Sequence, residues 1–264
     1  MTLPLEKYYE AHILQRKDFA EDLWMLRLAP EGPFSFTAGQ FATLAVENNG
    51  KRGERAYSIV SSPYESELEF FFELVPGGEV TPTLHGLREG QSVLMRKALK
   101  GRFTLDLKSG RRKHLLLATV TGIAPYVSYV RTLYRDWKQG NMPAVELYIL
   151  HGASRSWEFG YREELERYAA EVPWLRYVPT VSRPWEDPEW KGETGRVDEL
   201  IRKYADQWGC APGETSGYLC GHPQMIESGM GILKRHGFPK DALQQEVYWI
   251  PPKAPKQEGQ AAGL

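Results

Sequence analysis

Cysteine is nearly absent. The chain has two, Cys210 and Cys220, among 264 residues, and they form no metal-type CxxC pair, which suits a reducing cytoplasm. An iron–sulfur cluster held by this chain alone is excluded in practice, because such clusters usually need four cysteine ligands. The histidines, at 12, 85, 114, 151, 222 and 236, are scattered and suggest no metal site. Long apolar runs are also missing: none approaches the roughly 20 residues of a membrane span. So is a large charge of one sign. Lys and Arg number 33 against 34 Asp and Glu, a formal net charge of −1, which implies neither nucleic acid nor an anionic membrane as a bulk partner. The start, "MTLPLEKYYE", lacks the basic head and apolar core of a signal peptide. What is present is ordinary globular composition, 42% hydrophobic and 25% charged. A chain of this length buries roughly 75% of its extended surface. It fits one large or two ordinary domains.

The chain has two halves with different periods. Up to residue 106 short strands are punctuated by Gly and Pro: "AHILQRK", "LWMLRLAP", "GQFATLAVEN", "RAYSIV", "LEFFFELVP" and "QSVLMRKA", with one helical turn, "TPTLHGL". Close-spaced strands of this kind predict an antiparallel barrel or sandwich. From about residue 113 strands alternate with helices. "HLLLATV" precedes "APYVSYVRTLYRDWKQG", "AVELYILHG" precedes "YREELERYAAEV", "LRYVPTV" precedes "VDELIRKYADQWG", and "SGYLCG" precedes "PQMIESGMGILKRHGF", before a last strand "LQQEVYW". That alternation predicts right-handed βαβ units and a parallel sheet. The expected division is 1–106, 107–249 and a disordered tail 250–264, with the basic joint "DLKSGRRK" as a hinge. No internal repeat is found.

Ligands of such α/β sheets bind beyond the carboxyl ends of the strands, and four stretches fall there. In "RAYS" a guanidinium and a phenol share a strand. Arg55 and Tyr57 fit a grip on a phosphate and a planar group, or simply an edge-strand Arg stacked on a neighbouring Tyr. In "PGGEVTPTLHGL" two glycines precede a helix start, whose unpaired N–H groups suit phosphate or make an ordinary turn. In "LLLATVTGIAP" a buried strand runs into a Thr-Gly turn and an early Pro125, the geometry of a dinucleotide site, although Val120 stands where glycine is expected. Finally Arg155, Arg183 and Arg196 follow successive strands; arginine there accommodates the extra phosphate of NADP, and each also fits a solvated surface role.

Taken together, the Arg-Ala-Tyr-Ser stretch, the Gly-Gly-x-Val-Thr turn, "LATVTGIAPYVS", "HGAS", "VSRP", "TGRV", "YLCGHPQM" and "EVYW" resemble the bacterial ferredoxin (flavodoxin)–NADP reductases over residues 5 to 249. The resemblance implies an N-terminal antiparallel Greek-key β-barrel binding FAD, followed by a parallel-sheet α/β domain binding NADP(H), with the flavin between them. It implies that Arg55, beside Ala56, binds the FAD phosphates, that Tyr57 packs on the flavin–ribityl portion, and that Ser58 lies near the reactive nitrogen. Glu79, Val80 and Thr81 would hold the pyrophosphate and Phe71 would line the adjoining strand. Thr121 and Gly122 would floor the nicotinamide path, and Ser182, Arg183 and Arg196 would take the 2′-phosphate. Cys220, Gly221, Pro223 and Gln224 would border the nicotinamide; Tyr248 and Trp249 would cover the flavin, with Glu246 near it. The implied catalytic set is Ser58, Cys220, Glu246 and Tyr248. Three departures stand out: Val120 in a glycine position, Arg155 one place late, and fifteen residues after Trp249.

The implied activity is electron splitting, a hydride exchanged with NADP(H) and single electrons with a ferredoxin or flavodoxin, by a cytoplasmic monomer or weak dimer. Arg96, Lys97, Lys100, Arg102, Arg111, Arg112 and Lys113 would greet such an acidic carrier, or form a solvated charge run. The rival readings are an NAD(P)H-dependent flavin or quinone reductase and a flavin-bearing redox sensor or electron-relay subunit.

Overall fold

The computed structural model describes residues 5–48 and 50–248. Its first half contains strands β1 (Tyr8–Ala20), β2 (Leu23–Pro30), β3 (Phe41–Asn48), β4 (Lys51–Ser58) and β5 (Leu68–Glu73), then the short helix α1 (Thr81–Gly86) and strand β6 (Ser92–Arg96). They form one antiparallel sheet in the order β4-β3-β6-β1-β2-β5. The two edges meet just past β4, where Ile59 bridges Phe70 and the Val60 N–H donates to the Glu69 carbonyl at 2.8 Å. This curls the sheet into the expected barrel.

The apolar run of β5 has a physical reason. Phe70 and Phe72 point into the barrel core with Trp24 and Leu26, while Phe71 joins the separate core beneath the second half. Glu69, on the same outward face as Phe71, is only 1% exposed. A strand buried on both sides loses the polar–apolar alternation of a one-faced strand.

The second half runs β7 (Lys113–Thr119), α2 (Ala124–Lys138), β8 (Glu146–Ala153), α3 (Arg162–Glu171), β9 (Leu175–Val181), β10 (Glu193–Thr194), α4 (Ile201–Gln207), β11 (Thr215–Gly221), α5 (Pro223–Arg235) and β12 (Leu243–Val247). All pairings are parallel, in the order β10-β9-β8-β7-β11-β12. The strand order reverses at β7, so the cleft beyond Thr119 and Gly221 is where a ligand of such a sheet sits.

Two details differ from the pattern. The helix expected from Val197 begins only at Ile201, because residues 196–200 close tighter turns, Glu199 N–H to the Arg196 carbonyl and Leu200 N–H to the Val197 carbonyl. The two-residue β10 was not expected. Among the described residues no helix is long and apolar enough to cross a membrane. The expected tail 250–264 and the terminal Trp249 lie outside the described residues.

Candidate functional site

A cleft of about 1030 Å³ opens between the two sheets. From the barrel, Arg55, Ala56, Tyr57 and Ser58 of β4, Phe71 of β5, and Glu79, Val80 and Thr81 before and at the start of α1 line it. From the parallel sheet come Thr119, Val120 and Thr121 after β7, Ser182 and Arg183 after β9, Arg196, and Gly221, Pro223 and Gln224 at the start of α5, with Tyr248 at the chain's far end. The predicted residues Gly122, Arg155, Cys220 and Glu246 are not part of its lining.

The barrel wall is built for an anion and a ring. The Arg55 guanidinium donates to a Glu79 carboxylate oxygen at 2.9 Å and to the Glu54 carbonyl at 2.8 Å, so the turn before α1 is tied to β4 by a pair open to solvent. Tyr57 packs edge-on against Phe72, with ring centres 4.8 Å apart, rather than against Arg55. Its hydroxyl is buried with no protein partner, and burial raises its pKa well above the ordinary tyrosine value. A buried hydroxyl without a partner is costly unless a ligand meets it. The Thr81 hydroxyl is already engaged, accepting from the Val75 N–H at 3.0 Å, and the Gly78 N–H donates to the Val75 carbonyl, so both shape the turn.

The four residues expected to be catalytic do come together, in two layers. The Ser58 hydroxyl donates to Glu246 at 2.8 Å and accepts from the Tyr248 hydroxyl at 2.9 Å. Ser58 and Tyr248 face the cleft, and Tyr248 is 38% exposed. Cys220 pairs in register with Glu246 across β11 and β12 and is completely buried behind them. Burial pushes the Glu246 carboxyl above its usual range, against the opposing pull of its Ser58 hydrogen bond. It also pushes the Cys220 thiol far up, so Cys220 stays a neutral thiol.

The floor is a crossing of two turns. A Cβ on Gly122 would meet the Cys220 carbonyl oxygen at 2.2 Å, and one on Gly221, at φ +123°, would meet the Thr119 hydroxyl at 2.2 Å. Gly122 is therefore required by close backbone approach behind the cleft rather than at its surface. The Thr119 hydroxyl accepts the His222 N–H at 2.7 Å, joining the first turn to α5. Val120 adopts φ +43°, the left-handed region that favours glycine.

The arginines divide. Arg183 and Arg196 reach the cleft, each about half exposed, and each has a carboxylate nearby: Glu186 at 3.7 Å and Asp198 at 3.4 Å. Arg155 does not reach it; its guanidinium is held by Glu158 at 3.0 Å and by Glu186. The sequence reasoning missed Trp185, which lines the cleft and is 74% exposed. A tryptophan one turn after a strand-end Ser-Arg was the available signal. It also missed the acidic set Asp22, Glu73, Glu158 and Asp198 on the same lining.

The basic run is partly consumed. Arg96 pairs with Glu54 at 2.5 Å, Arg111 with Asp241 at 2.5 Å, and the Lys113 ammonium donates to two backbone carbonyls, of Trp208 and Gly209. Lys97, Lys100, Arg102 and Arg112 remain exposed.

Comparison with known proteins agrees with this arrangement. A model of the oxidoreductase FAD-binding domain matches residues 10–104, and one of the oxidoreductase NAD-binding domain matches residues 116–229. The chain is 32% identical over 247 residues to ferredoxin–NADP reductase A of Sorangium cellulosum, covering 88% of this chain and 84% of that one. It is 36% identical over 201 residues to the flavodoxin/ferredoxin–NADP reductase of Shigella flexneri, 72% and 76% covered. The phenol hydroxylase P5 protein of Acinetobacter pittii is 29% identical over 226 residues, 85% of this chain but 61% of its own length. Among solved structures, a ferredoxin NADP+ reductase from Neisseria gonorrhoeae with bound FAD and NADP superposes with TM-score 0.77 at 23% identity, 92% and 99% covered.

Proposed function

The chain belongs to the bacterial ferredoxin (flavodoxin)–NADP reductase family, and from that premise we propose that it exchanges a hydride with NADP(H) and single electrons with an acidic ferredoxin or flavodoxin. The barrel over residues 1–106 and the α/β part over 107–249 serve as its two domains. The observation that carries the reading is the Ser58–Glu246–Tyr248 chain, which ties the barrel to the last strand of the parallel sheet at the bottom of one shared cleft.

FAD, when bound, supplies the chemistry of converting a two-electron hydride into single electrons. The protein binds, orients and excludes water. Arg55, released from Glu79, grips the diphosphate together with the backbone of residues 79–81. The orphaned Tyr57 hydroxyl takes a polar atom of the flavin nucleotide, and Ala56 leaves room beside it. Ser58 accepts from Tyr248 and donates to Glu246, so its oxygen is fixed, while the neutral Cys220 fills space behind. Tyr248 is the ring that must move for nicotinamide to stack. Thr121, Gly221, Pro223 and Gln224 line the nicotinamide side, and Ser182, Arg183 and Arg196 take the 2′-phosphate with Trp185 as an open face for adenine.

Anaerobic titration with NADPH tests the reading: the visible flavin absorbance bleaches within a turnover, and a colour that persists overturns it. Ser58→Ala removes both hydrogen bonds and leaves Glu246 unmet. It lowers the rate of that bleaching by about 10–100-fold, the scale of a lost orienting contact, with FAD content unchanged. A rate within twofold of wild type would show that Ser58 orients nothing.

The likeness to a phenol hydroxylase component favours a second reading, a reductase that serves an oxygenase instead. Turnover with ferredoxin or flavodoxin, set against turnover with an oxygenase component and no carrier, separates the two. If the carrier docks on Lys97, Lys100, Arg102 and Arg112, its reduction slows steeply as salt rises from low to moderate ionic strength, while NADPH oxidation with a neutral small acceptor does not. A flat carrier rate removes this surface from the docking site.

A further inference from the structure

We propose that His151, which does not touch the cleft, is a positioning residue for dinucleotide binding: its imidazole clamps the strained turn at Val120 in the shape the cleft presents. The inference rests on the reading of this cleft as the NADP(H) site.

The strain is local and visible. Val120 is β-branched yet sits at φ +43°, where a Cβ crowds the following carbonyl. Such a residue persists only when its surroundings over-determine it. One of those surroundings is His151, on β8. Its Nε2 lies 3.0 Å from the Val120 carbonyl oxygen, and its Nδ1 lies 2.9 Å from the Tyr177 hydroxyl on β9. A carbonyl only accepts, so Nε2 carries the proton and Nδ1 accepts from Tyr177, which fixes a single neutral tautomer. The ring is completely buried and held edge-on by Phe159, centres 4.9 Å apart. Its burial also drives the imidazole pKa down to about 4, so it stays neutral at ordinary pH. The chain Tyr177–His151–Val120 thus runs from β9 across β8 to the turn after β7, and only its last member, Val120, lines the cleft. Valine's side chain adds a second hold, packed with Ala153, Phe159 and Val181.

The turn so held follows β7 directly and lines the cleft. Thr119 on one side receives the His222 N–H, and Thr121 on the other faces the cleft directly. With the clamp gone, Val120 relaxes toward negative φ and carries both threonines with it. The binding-competent shape then becomes one of several populated states, and apparent affinity falls by its fraction. Glycine at 120 adopts the same φ without strain, so it removes the need for the clamp.

The test uses FAD-loaded protein and reads the perturbation of the flavin spectrum by NADP+, together with NADPH steady-state kinetics. His151→Leu weakens NADP+ binding by about tenfold, and the loss falls on KM rather than on kcat. His151→Gln, whose amide reaches the Nε2 position with a donor, stays within about threefold of wild type. The double variant Val120→Gly with His151→Leu recovers to within about threefold. A packing role alone would make Gln no better than Leu and would give no rescue by glycine. Binding by His151→Leu equal to wild type overturns the proposal, and so does a double variant as weak as His151→Leu. Should His151→Leu not fold, weak binding by both His151→Gln and the double variant overturns it, and near-wild-type binding by both supports it. Wild-type protein that shows no NADP+ perturbation and no bleaching by NADPH defeats the functional reading itself, before any variant is compared, and takes this inference with it.

Discussion

Replacing Arg183 and Arg196 together by alanine lowers kcat/KM for NADPH by about 10²–10⁴-fold, from two lost charge-assisted hydrogen bonds of about 1.5–3 kcal/mol each, and leaves NADH within about threefold, because NADH has no 2′-phosphate to lose. Both side chains line the cleft and are about half exposed, 49% and 48%, so a phosphate reaches them at small desolvation cost. Each already has a carboxylate nearby, Glu186 or Asp198, and an arriving phosphate must outcompete these. That places the loss toward the lower end of the range. The competition also has a sign of its own: Glu186→Gln leaves Arg183 unopposed and raises efficiency with NADPH a few-fold. Steady-state kinetics with both coenzymes, at one ionic strength, check all of this. An equal loss with NADPH and NADH after the double replacement would remove these arginines from the selection of coenzyme.

The element order was legible because the apolar period changes from 2 to 3.6 at one place, near residue 113, and because the strands of each half bury their apolar residues in the way that period implies. The limits came where an element is not defined by its own burial. Strand β1 runs on past the expected end at Lys17 to Ala20 through Asp18, which is exposed and carries no apolar signal; pairing with β2 extends it. Strand β10 is two residues long and exists because Glu193 and Thr194 pair with Thr180 and Val181. The first turn of the expected α4 is lost to the tighter turns around Val197, which the helical period of "VDELIRKYA" gives no means to foresee.

The site was legible residue by residue and illegible as a set of contacts. Alternation put Arg55 and Tyr57 on one face, but their partners, Glu79 and Phe72, come from the next loop and strand. Ser58 and Glu246 lie 188 positions apart, and only the closing of one half onto the other brings them to 2.8 Å. Arg155 stood one place late in the sequence, and the structure shows the consequence: Glu158 and Glu186 hold it away from the cleft. At Val120 the sequence flagged an anomaly, and φ +43° shows its nature: the backbone keeps a glycine's conformation with a valine in it.

Replacing Arg131 by leucine destabilises the fold by about 3–5 kcal/mol, the cost of breaking a buried ion pair by removing one partner. Arg131 lies on α2 and is 13% exposed. It makes a two-pronged contact with Glu164, at 2.7 and 2.9 Å, and reaches Glu69 of the barrel at 3.1 Å. Glu69 is the more vulnerable end: it is 1% exposed, and its other oxygen meets Arg27 at 2.6 Å. Burial alone would raise the Glu69 pKa, and Arg131 and Arg27 together hold it below the ordinary glutamate value. A carboxyl depressed in the folded state stabilises above its unfolded pKa and loses that contribution as pH falls through the folded one. The variant therefore loses most at neutral pH, where Glu69 is charged with one partner missing, and the gap to wild type narrows on acidification below about pH 4, near the ordinary glutamate pKa. Urea unfolding at pH 7 and at about pH 3 measures both effects. Because this pair joins β5 to α2, the two walls of the cleft, the variant also retains FAD less firmly on dilution, which Glu164→Gln, sparing the Glu69 contact, does not reproduce. A loss below about 1 kcal/mol at pH 7, the size of an exposed pair, would mean that Glu69 finds another partner, and that the halves are held together without this ion pair.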